Sequence, residues 1–340
     1  MIASHIIKNT KRTDTGEIIV TLFELCNLNC LFCNQDHTST LGIDTVLSKI
    51  DSIKRSINEL RTNTDKTSFS INIMGGEILA DELPDSVFDD YIELTRMVKE
   101  YAVEIDVVVD IRFVTNFVWS KKERVYRLLK ETGSVLGTSY DPAGRFNKET
   151  FQVFQDNVTE FADHIQGVNV ILTKANIDRF LKDQVPFFDF LYANFEIYFD
   201  HYTPESNLNF LLPKDVDLRD IAIYLIDHYP NVYPYRFYKD KKKNNMTCMD
   251  TLTILPSNTY GKCDILLTSS LPDKAIPIKF IPTTKRDMEQ KWFEDYNCLE
   301  CDQLYRCSLG CFLSNHIKDG RTQEACWMKE VYDYVDSKTY

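Results

Sequence analysis

The sequence contains no stretch approaching the roughly 20 consecutive apolar residues that a membrane-spanning helix needs. It also lacks a basic excess, since 39 Lys and Arg stand against 51 Asp and Glu, a formal net charge of −12. This balance argues against a general nucleic-acid binder. The first residues lack the apolar core of a secretion signal and soon reach Lys8 and Lys11. These absences predict a soluble, cytoplasmic protein with neither nucleic acid nor membrane as a partner.

Cysteine is absent from residues 34–247, although the chain contains 10 cysteines. Three lie within residues 26–33 and the other seven within 248–326. Random use of cysteine in a core would not empty the middle of the chain. In a reducing compartment, clustered cysteines are more often metal ligands than disulfides. The sequence therefore predicts two metal-binding regions.

The first region has the spacing C-x3-C-x2-C, formed by Cys26, Cys30 and Cys33 directly after the apolar run Ile18–Phe23. A structural zinc site, or a cluster that only transfers electrons, normally has a fourth protein ligand. Three thiolates can hold three irons of a 4Fe–4S cube and leave the fourth iron open to a small molecule. Phe32 precedes the last cysteine, where an aromatic ring can cover a flat ligand. The alternatives are a zinc knuckle and unrelated core cysteines.

The octapeptide 26–33 resembles the C-x3-C-x-φ-C signature of the radical SAM superfamily. The resemblance implies that the open iron is chelated by the amino and carboxylate groups of S-adenosylmethionine (AdoMet). One electron, from a donor such as flavodoxin or ferredoxin, then cleaves the sulfonium to a 5′-deoxyadenosyl radical, which removes a substrate hydrogen. The cofactor supplies this chemistry, and the protein supplies its placement.

Short apolar runs alternate with stretches of helical period along the first two thirds of the chain, which predicts successive β–α units and a parallel sheet. An amphipathic helix is predicted over Ile43–Leu60, and further helices over about 86–102, 121–132, 148–164, 177–192 and 215–228. The predicted strands are Ile18–Phe23, Phe69–Met74, Val107–Val114, Val135–Ser139, Val168–Thr173 and Phe195–Phe199.

The resemblance implies an α/β fold of a particular kind, a partial (β/α)6 TIM barrel with its site at the carboxyl ends of the strands. Residues 1–205 would form this barrel, 206–247 a bridge, and 248–340 a cysteine-rich domain with a C-terminal helix. The bridge is either a proline-broken linker with a solvated basic tip at Lys241–Lys243, or an aromatic and basic surface that holds an acidic peptide.

Three residues at the end of the second strand, Gly75, Gly76 and Glu77, are candidates for cofactor binding. Adjacent glycines let the backbone approach a ligand without a Cβ in the way, and a carboxylate can accept from an ammonium group. The triplet matches the GGE motif of the family, whose residues contact the AdoMet amine. Here Ile78 replaces the proline that commonly follows.

Further candidate AdoMet contacts follow the third and fourth strands. Ser139 and Asp141 resemble the S-x-D that lies near the ribose and carboxylate of AdoMet, and Asn116 resembles the T-N that ends the third strand. Arg145 is a candidate partner of the AdoMet carboxylate. The alternative for Asn116 and Arg145 is a loop-capping or surface role.

The second cysteine region resembles the SPASM extension of radical SAM enzymes. Cys298, Cys301, Cys307 and Cys311 have its C-x2-C-x5-C-x3-C spacing. Asn258 replaces an expected glycine in a predicted hairpin, a mild change because Asn tolerates positive φ. The alternative is zinc. The resemblance implies two auxiliary 4Fe–4S clusters, one held by Cys298, Cys301, Cys307 and Cys326 and the other by Cys248, Cys263 and Cys311, which leaves one iron open or bound by a non-cysteine ligand.

Asp264 follows Cys263 directly. In sulfatase-maturing members of the family an aspartate at this place takes the substrate proton, so Asp264 is the candidate catalytic base. A carboxylate beside an anionic cluster would have its ionised form disfavoured, which suits a base. The alternative is a surface aspartate of the hairpin.

These features predict a radical SAM/SPASM oxidoreductase that oxidises or cross-links a residue of a peptide or protein. The few residues before the first strand predict that leader recognition, where needed, uses a separate partner or the bridge. Two alternatives remain open: oxidation of a small molecule such as a sugar, and a zinc-binding interaction protein without catalysis.

Overall fold

The computed structural model describes residues 15–33, 35–202, 209–239, 251–261, 298–304, 306–307 and 326–338. Strands and helices alternate along the first 201 residues, as the sequence predicts. The six strands of this part, β1 to β6 in chain order, are Thr15–Thr21, Ser68–Met74, Val108–Thr115, Val135–Ser139, Ile165–Leu172 and Glu196–His201.

Eight α-helices lie within the described residues, and none of them is long and apolar enough to cross a membrane. Six of them fall between or beside the strands of the first part, and the other two follow. In chain order, α1 to α8 are Lys49–Thr64, Asp85–Glu104, Lys122–Thr132, Lys148–Glu160, Lys174–Leu181, Phe188–Asn194, Asp215–His228 and Trp327–Ser337.

All described strands belong to one open sheet that curls into a half-barrel, with the order β6-β5-β4-β3-β2-β1-β7-β8. Strands β1 to β6 pair in parallel with their neighbours. Strand β7 (Thr251–Ile254) pairs in parallel with β1, and β8 (Tyr260–Gly261) pairs antiparallel with β7. The predicted partial barrel is confirmed, and the hairpin of the second cysteine region extends the same sheet.

Side-chain alternation gives the sheet a helix-covered outer face and a polar inner face, which we call the lumen. In β1, Ile18 and Val20 are fully buried on the outer face. Ile53 and Ile57 of α1 are buried in the same core cluster. Because successive side chains of a strand point to opposite faces, Glu17 of β1 faces the lumen.

The predicted helix at 177–192 is wrong in one respect, since the structure has two short helices there. Helix α5 ends at Leu181 and α6 begins at Phe188. Asp183 and Phe187 have positive φ values of 54° and 72°, which a right-handed helix cannot contain. Pro186 lies between them and lacks the N–H that a helix interior needs.

The described part of the bridge packs against the edge of β6. Tyr233 N–H donates to the Ile197 carbonyl at 2.8 Å, and Phe199 N–H donates to the Tyr233 carbonyl at 2.8 Å. Tyr235 and Tyr238 are buried. This part therefore packs on the edge of the sheet. Lys241–Lys243 lie outside the described residues, so both interpretations of the bridge stay predictions.

Candidate active site

The cysteine loop starts where the pairing of β1 with β2 ends. Beyond the strands, Gly76 N–H donates to the Phe23 carbonyl at 2.9 Å and Glu77 N–H to the Leu25 carbonyl at 2.8 Å. Cys26 N–H donates to the His37 carbonyl at 3.1 Å and closes the loop. The loop therefore lies at the carboxyl edge of the half-barrel, where parallel β/α barrels carry their active sites.

Gly75 and Gly76 are needed for close packing against this loop. A Cβ on Gly76 would lie 2.1 Å from the Leu25 carbonyl oxygen, and one on Gly75 would lie 2.6 Å from the Phe23 carbonyl oxygen. Neither separation is possible for a side chain. That the glycines admit a ligand stays a prediction, and the structure shows that they admit the backbone of the cysteine loop itself.

The three thiols of the loop lie close together in a half-buried position. Burial raises the pKa of Cys26 to about 11, and Cys30 and Cys33 raise it further as like charges. Burial also raises the pKa of Cys30. Three thiolates at one place thus need a cation to neutralise them. Leu28 N–H donates to Cys26 Sγ at 3.4 Å.

This donor set fits a 4Fe–4S cluster, because soft thiolates with N–H donors to sulfur are what such a cluster uses. Cys26, Cys30 and Cys33 would each hold a different iron of such a cluster. Within the described residues, no group of three or more His, Cys, Asp and Glu side chains has the arrangement for one metal ion.

Glu77 is fully buried and directed toward β3. Its carboxylate accepts from Thr115 Oγ1 at 2.6 Å, from Asn116 N–H at 2.6 Å and from Leu79 N–H at 2.8 Å. Burial raises the pKa of Glu77 to about 7, although these hydrogen bonds favour the ionised form. The carboxylate joins the glycine turn to the end of β3, so a cofactor contact by Glu77 stays a prediction.

Asn116 is buried and bonds directly to the cysteine loop. Its Nδ2 donates to Asn27 Oδ1 at 2.7 Å and lies 3.9 Å from Cys26 Sγ, and its Oδ1 accepts from Val118 N–H at 2.8 Å. Asn27 was not singled out in the sequence, although it lies inside the cysteine motif. The pair fixes the first half of the loop against the loop after β3.

Arg145 links Asp141 to the second half of the loop. Its Nε donates to Asp141 Oδ2 at 2.7 Å, and its guanidinium carbon lies 5.3 Å from the centre of the Phe32 ring. Its positive charge opposes the rise in the pKa of Cys30. Asp141 is fully buried and also accepts from Ile171 N–H at 3.0 Å. Ser139 ends β4 at the same edge, so the predicted AdoMet contacts lie together.

Four cysteines of the second region, Cys298, Cys301, Cys307 and Cys326, lie within the described residues, and each of them is half-buried. Cys298 is close enough to Cys326 and Cys301 that both add to the effect of burial, which raises its pKa to about 12. Cys307 and Cys326 both lie close enough to Tyr238 that their charges add to the effect of burial, which raises the pKa of Tyr238. The structure thus brings together the set predicted for one auxiliary cluster. The other predicted residues, Cys248, Cys263, Asp264 and Cys311, lie outside the described residues.

Cys326 lies at the N-terminus of α8, where unpaired backbone N–H groups and the helix dipole favour a negatively charged sulfur. Arg306 is almost fully buried beneath this set and donates to Asp336 Oδ1 at 3.0 Å. Neither the place of Cys326 at the start of α8 nor the burial of Arg306 was predicted, because both depend on how the cysteine segment packs against α8.

The structure is similar to two solved structures that carry AdoMet. Native anSMEcpe with bound AdoMet has a TM-score of 0.64 at 13% sequence identity, over 94% of this chain and 96% of that chain. Streptococcus suis SuiB bound to S-adenosylmethionine has a TM-score of 0.52 at 15% identity, over 95% of this chain and 80% of that chain. No protein-family model matches the sequence, and no curated protein matches it.

These likenesses define the class of fold, an open α/β half-barrel whose similarity to the two structures runs over nearly the whole of this chain. The partial barrel that the resemblance implied is confirmed at the level of the fold.

Proposed function

We propose that this chain is a radical SAM/SPASM enzyme that cleaves AdoMet reductively and oxidatively modifies a residue of a peptide or protein. The observation that carries the proposal is the position of the C-x3-C-x2-C loop, at the carboxyl edge of β1 and against the glycine turn after β2. The likeness to two structures that contain AdoMet supports it.

The residues that would hold the cluster are Cys26, Cys30 and Cys33, with AdoMet bound beside them. When bound, the pair would supply radical chemistry, namely one-electron cleavage of AdoMet and removal of a substrate hydrogen, with a flavodoxin or ferredoxin as the electron donor.

The chain's own residues position these groups. The glycine turn presents backbone without side chains, and Asn116 and Arg145 hold the two halves of the loop. Arg145 places the only positive charge that acts on the pKa of Cys30 among the described residues, which suits it to an anionic carboxylate such as that of AdoMet.

The second cysteine set supports an oxidative reaction, because removal of a hydrogen atom leaves one electron for an acceptor to take. Cys298, Cys301, Cys307 and Cys326 would hold an auxiliary cluster, and Cys248, Cys263 and Cys311 a second. Asp264 is proposed as the base that takes the substrate proton. A peptide substrate, with a separate leader-binding partner where one is needed, is part of the same proposal.

Anaerobic reconstitution with iron and sulfide tests the first step. We expect brown protein that releases 5′-deoxyadenosine from AdoMet under a strong reductant, and we expect Cys30→Ala to abolish this release because one iron loses its ligand. Ser39→Ala on the same loop is the matched control. Colourless protein that binds zinc, or release retained in Cys30→Ala, would contradict the proposal.

A search of the neighbouring reading frames for a short peptide gene, followed by mass spectrometry of any peptide found, tests the second step. Co-expression should remove a hydrogen pair from the peptide, and Asp264→Asn should impair product formation while AdoMet cleavage continues. A peptide of unchanged mass, with AdoMet cleavage intact, would direct attention to a small-molecule substrate.

A further inference from the structure

Two carboxylates face each other across the lumen, Glu17 on β1 and Asp200 on β6. In β6, Ile197 and Phe199 are buried on the outer face, whereas Asp200 is open to the lumen. Asp200 pairs with Ile171 near the carboxyl end of its strand, at the edge where the cysteine loop lies. Glu17 occupies the equivalent inner face of β1.

Neither carboxylate forms an ion pair with a residue in the described part of the chain. Glu17 accepts from Asn72 Nδ2 at 2.7 Å and from Thr251 Oγ1 at 3.1 Å. Asp200 Oδ2 accepts from Asn169 Nδ2 at 2.9 Å. All three donors are neutral, so two negative charges are held in the lumen without compensation from the described residues.

The arginines near the lumen are bound elsewhere. Arg112 donates to Gln166 Oε1 from Nε at 3.0 Å and from Nη2 at 2.7 Å. Arg145 is bound to Asp141. No positively charged group is among the causes that shift the pKa of Asp200.

The curvature of the sheet brings the two carboxylates within electrostatic range. Burial raises the pKa of Asp200 to about 6, and the charge of Glu17 is the next cause, followed by that of Asp141. Like charges held close together are unfavourable. Such arrangements cluster at functional sites, where a ligand completes them.

Asn72 provides a separate observation that points to a ligand. It faces the lumen from β2, and the residue is only 6% exposed. Its Nδ2 bonds to Glu17, but its Oδ1 has no hydrogen-bond partner among the described residues. A buried acceptor without a donor is uncommon in folded proteins. Asn72 Oδ1 can accept from an N–H or O–H donor, and it lies next to a carboxylate.

We propose that Glu17, Asn72 and Asp200 form a subsite that binds the cationic side chain of a lysine or arginine in the substrate. The two carboxylates supply the charge, and Asn72 Oδ1 supplies a further acceptor for the several N–H groups that an ammonium or guanidinium carries. The peptide nature of the substrate rests on the proposed function, whereas the preference for a cation rests on these three residues alone.

Binding of two matched peptides tests the subsite. The probes are acetyl-Gly-Lys-Gly-amide and acetyl-Gly-norleucine-Gly-amide, which differ in the ammonium group, titrated calorimetrically into reconstituted protein with AdoMet. We expect the lysine peptide to bind about tenfold or more tightly, the range of a charge-assisted hydrogen bond. Equal affinities in wild-type protein would overturn the proposal.

Isosteric variants assign the preference to these residues. Asp200→Asn and Glu17→Gln should each reduce the preference for lysine toward equality. Asp51→Asn, which removes one exposed carboxylate from helix α1 outside the sheet, is the control and should retain it. A preference that persists in both Asp200→Asn and Glu17→Gln would also overturn the proposal. Two variants are used so that the test can still be made if one of them fails to fold.

Release of 5′-deoxyadenosine by the same wild-type preparation separates this proposal from the proposed function. Release without any preference for lysine would remove the subsite and leave the enzyme class intact. A preference for lysine without release would leave the subsite intact and contradict the proposed enzyme class.

Discussion

At the scale of single residues, the candidate site depends on how closely two segments of backbone approach each other. Gly76 allows the turn after β2 to lie directly against Leu25, just before the first cysteine. Glu77 and Asn116 then hold that turn and the cysteine loop to the end of β3. The cysteine positions thus follow from contacts made by residues that are not ligands.

Gly76→Ala should therefore displace the cysteine loop. The added Cβ would meet the Leu25 carbonyl oxygen at 2.1 Å, so backbone must move, at a cost of about 1–3 kcal/mol in the free energy of unfolding. We expect less iron bound after reconstitution. Gly133→Ala is the control, because its positive φ of 60° gives strain without a nearby backbone contact. Equal iron in both variants would count against this role for Gly76.

The sequence was sufficient to locate the cysteines and the glycine turn, because motif spacing reports them directly. It was not sufficient for the hydrogen bonds that Glu77 accepts from Thr115 and Asn116, while its predicted contact with an ammonium group stays a prediction. The partners come from another strand, and no local pattern reports which face of a turn a side chain takes. The bond between Asn27 and Asn116 was missed for the same reason.

At the scale of elements, strands were easier to predict than helix ends. The strands are short apolar runs, whose burial fixes them within about three residues. The break between α5 and α6 was missed although Pro186 is a signal for it, and Phe187, which takes positive φ, is not typical of such a position. By contrast, Asn258 was expected to tolerate positive φ, and it has a φ of 63° in the turn between β7 and β8.

Arg306 joins the second cysteine segment to α8. Its Nη2 donates to Asp336 Oδ2 at 2.5 Å, its Nε to Gln303 Oε1 at 2.8 Å, and its guanidinium lies 4.5 Å from the centre of the Tyr332 ring. Arg306→Met leaves these acceptors unpaired, which should lower the free energy of unfolding by about 2 kcal/mol or more. We expect auxiliary iron to be lost while 5′-deoxyadenosine release continues.

Arg219→Met is the matched control for that experiment, because Arg219 also contacts α8, through Glu330 at 2.9 Å, but at the surface. A surface ion pair contributes less than about 1 kcal/mol, so iron content should not change. An Arg306→Met protein with full iron content would show that α8 is not needed to hold the second set.

Lys49 fixes the hairpin of β7 and β8 to the start of α1. The residue is fully buried, and its Nζ donates to the carbonyls of Leu255 at 3.0 Å and Pro256 at 2.6 Å. Lys49→Met should cost about 1–3 kcal/mol, since two buried acceptors lose a charged donor. Hydrogen exchange at the Leu255 amide should quicken. Lys54→Met, one turn further along α1, should leave that amide protected, and equal exchange in the two variants would contradict the role of Lys49.

At the scale of the whole molecule, the curl of the sheet creates an electrostatic relation that no segment contains. Glu17 and Asp200 lie at opposite ends of the barrel sequence, on the first and sixth strands. A flat sheet would separate them by four intervening strands, whereas the half-barrel turns both toward one lumen. Sequence patterns predict which residues face inward on each strand, but the facing pair follows only from the closure of the sheet.

This relation predicts a pH dependence of stability. In the folded state, burial and the charges of Glu17 and Asp141 raise the pKa of Asp200 from 3.8 to about 6. The hydrogen bond from Asn169 opposes this shift. Tyr235 faces Asp200 from the bridge. Between pH of about 4 and 6 the folded state therefore holds a proton that the unfolded state has lost. The free energy of unfolding must fall as pH rises through this window, and the loss persists above it.

Urea unfolding of wild-type protein and Asp200→Asn across this window measures the effect, because the difference between the two isolates one carboxylate. The stability of the variant relative to wild type should increase as pH rises, since the amide cannot ionise. In protein that retains Asp200, Glu17→Gln should weaken the pH dependence of the free energy of unfolding, because it removes a like charge from the lumen. A difference that stays constant from pH 4 to 7 would mean that Asp200 is fully solvated, and the lumen would then hold no electrostatic strain for a cation to relieve.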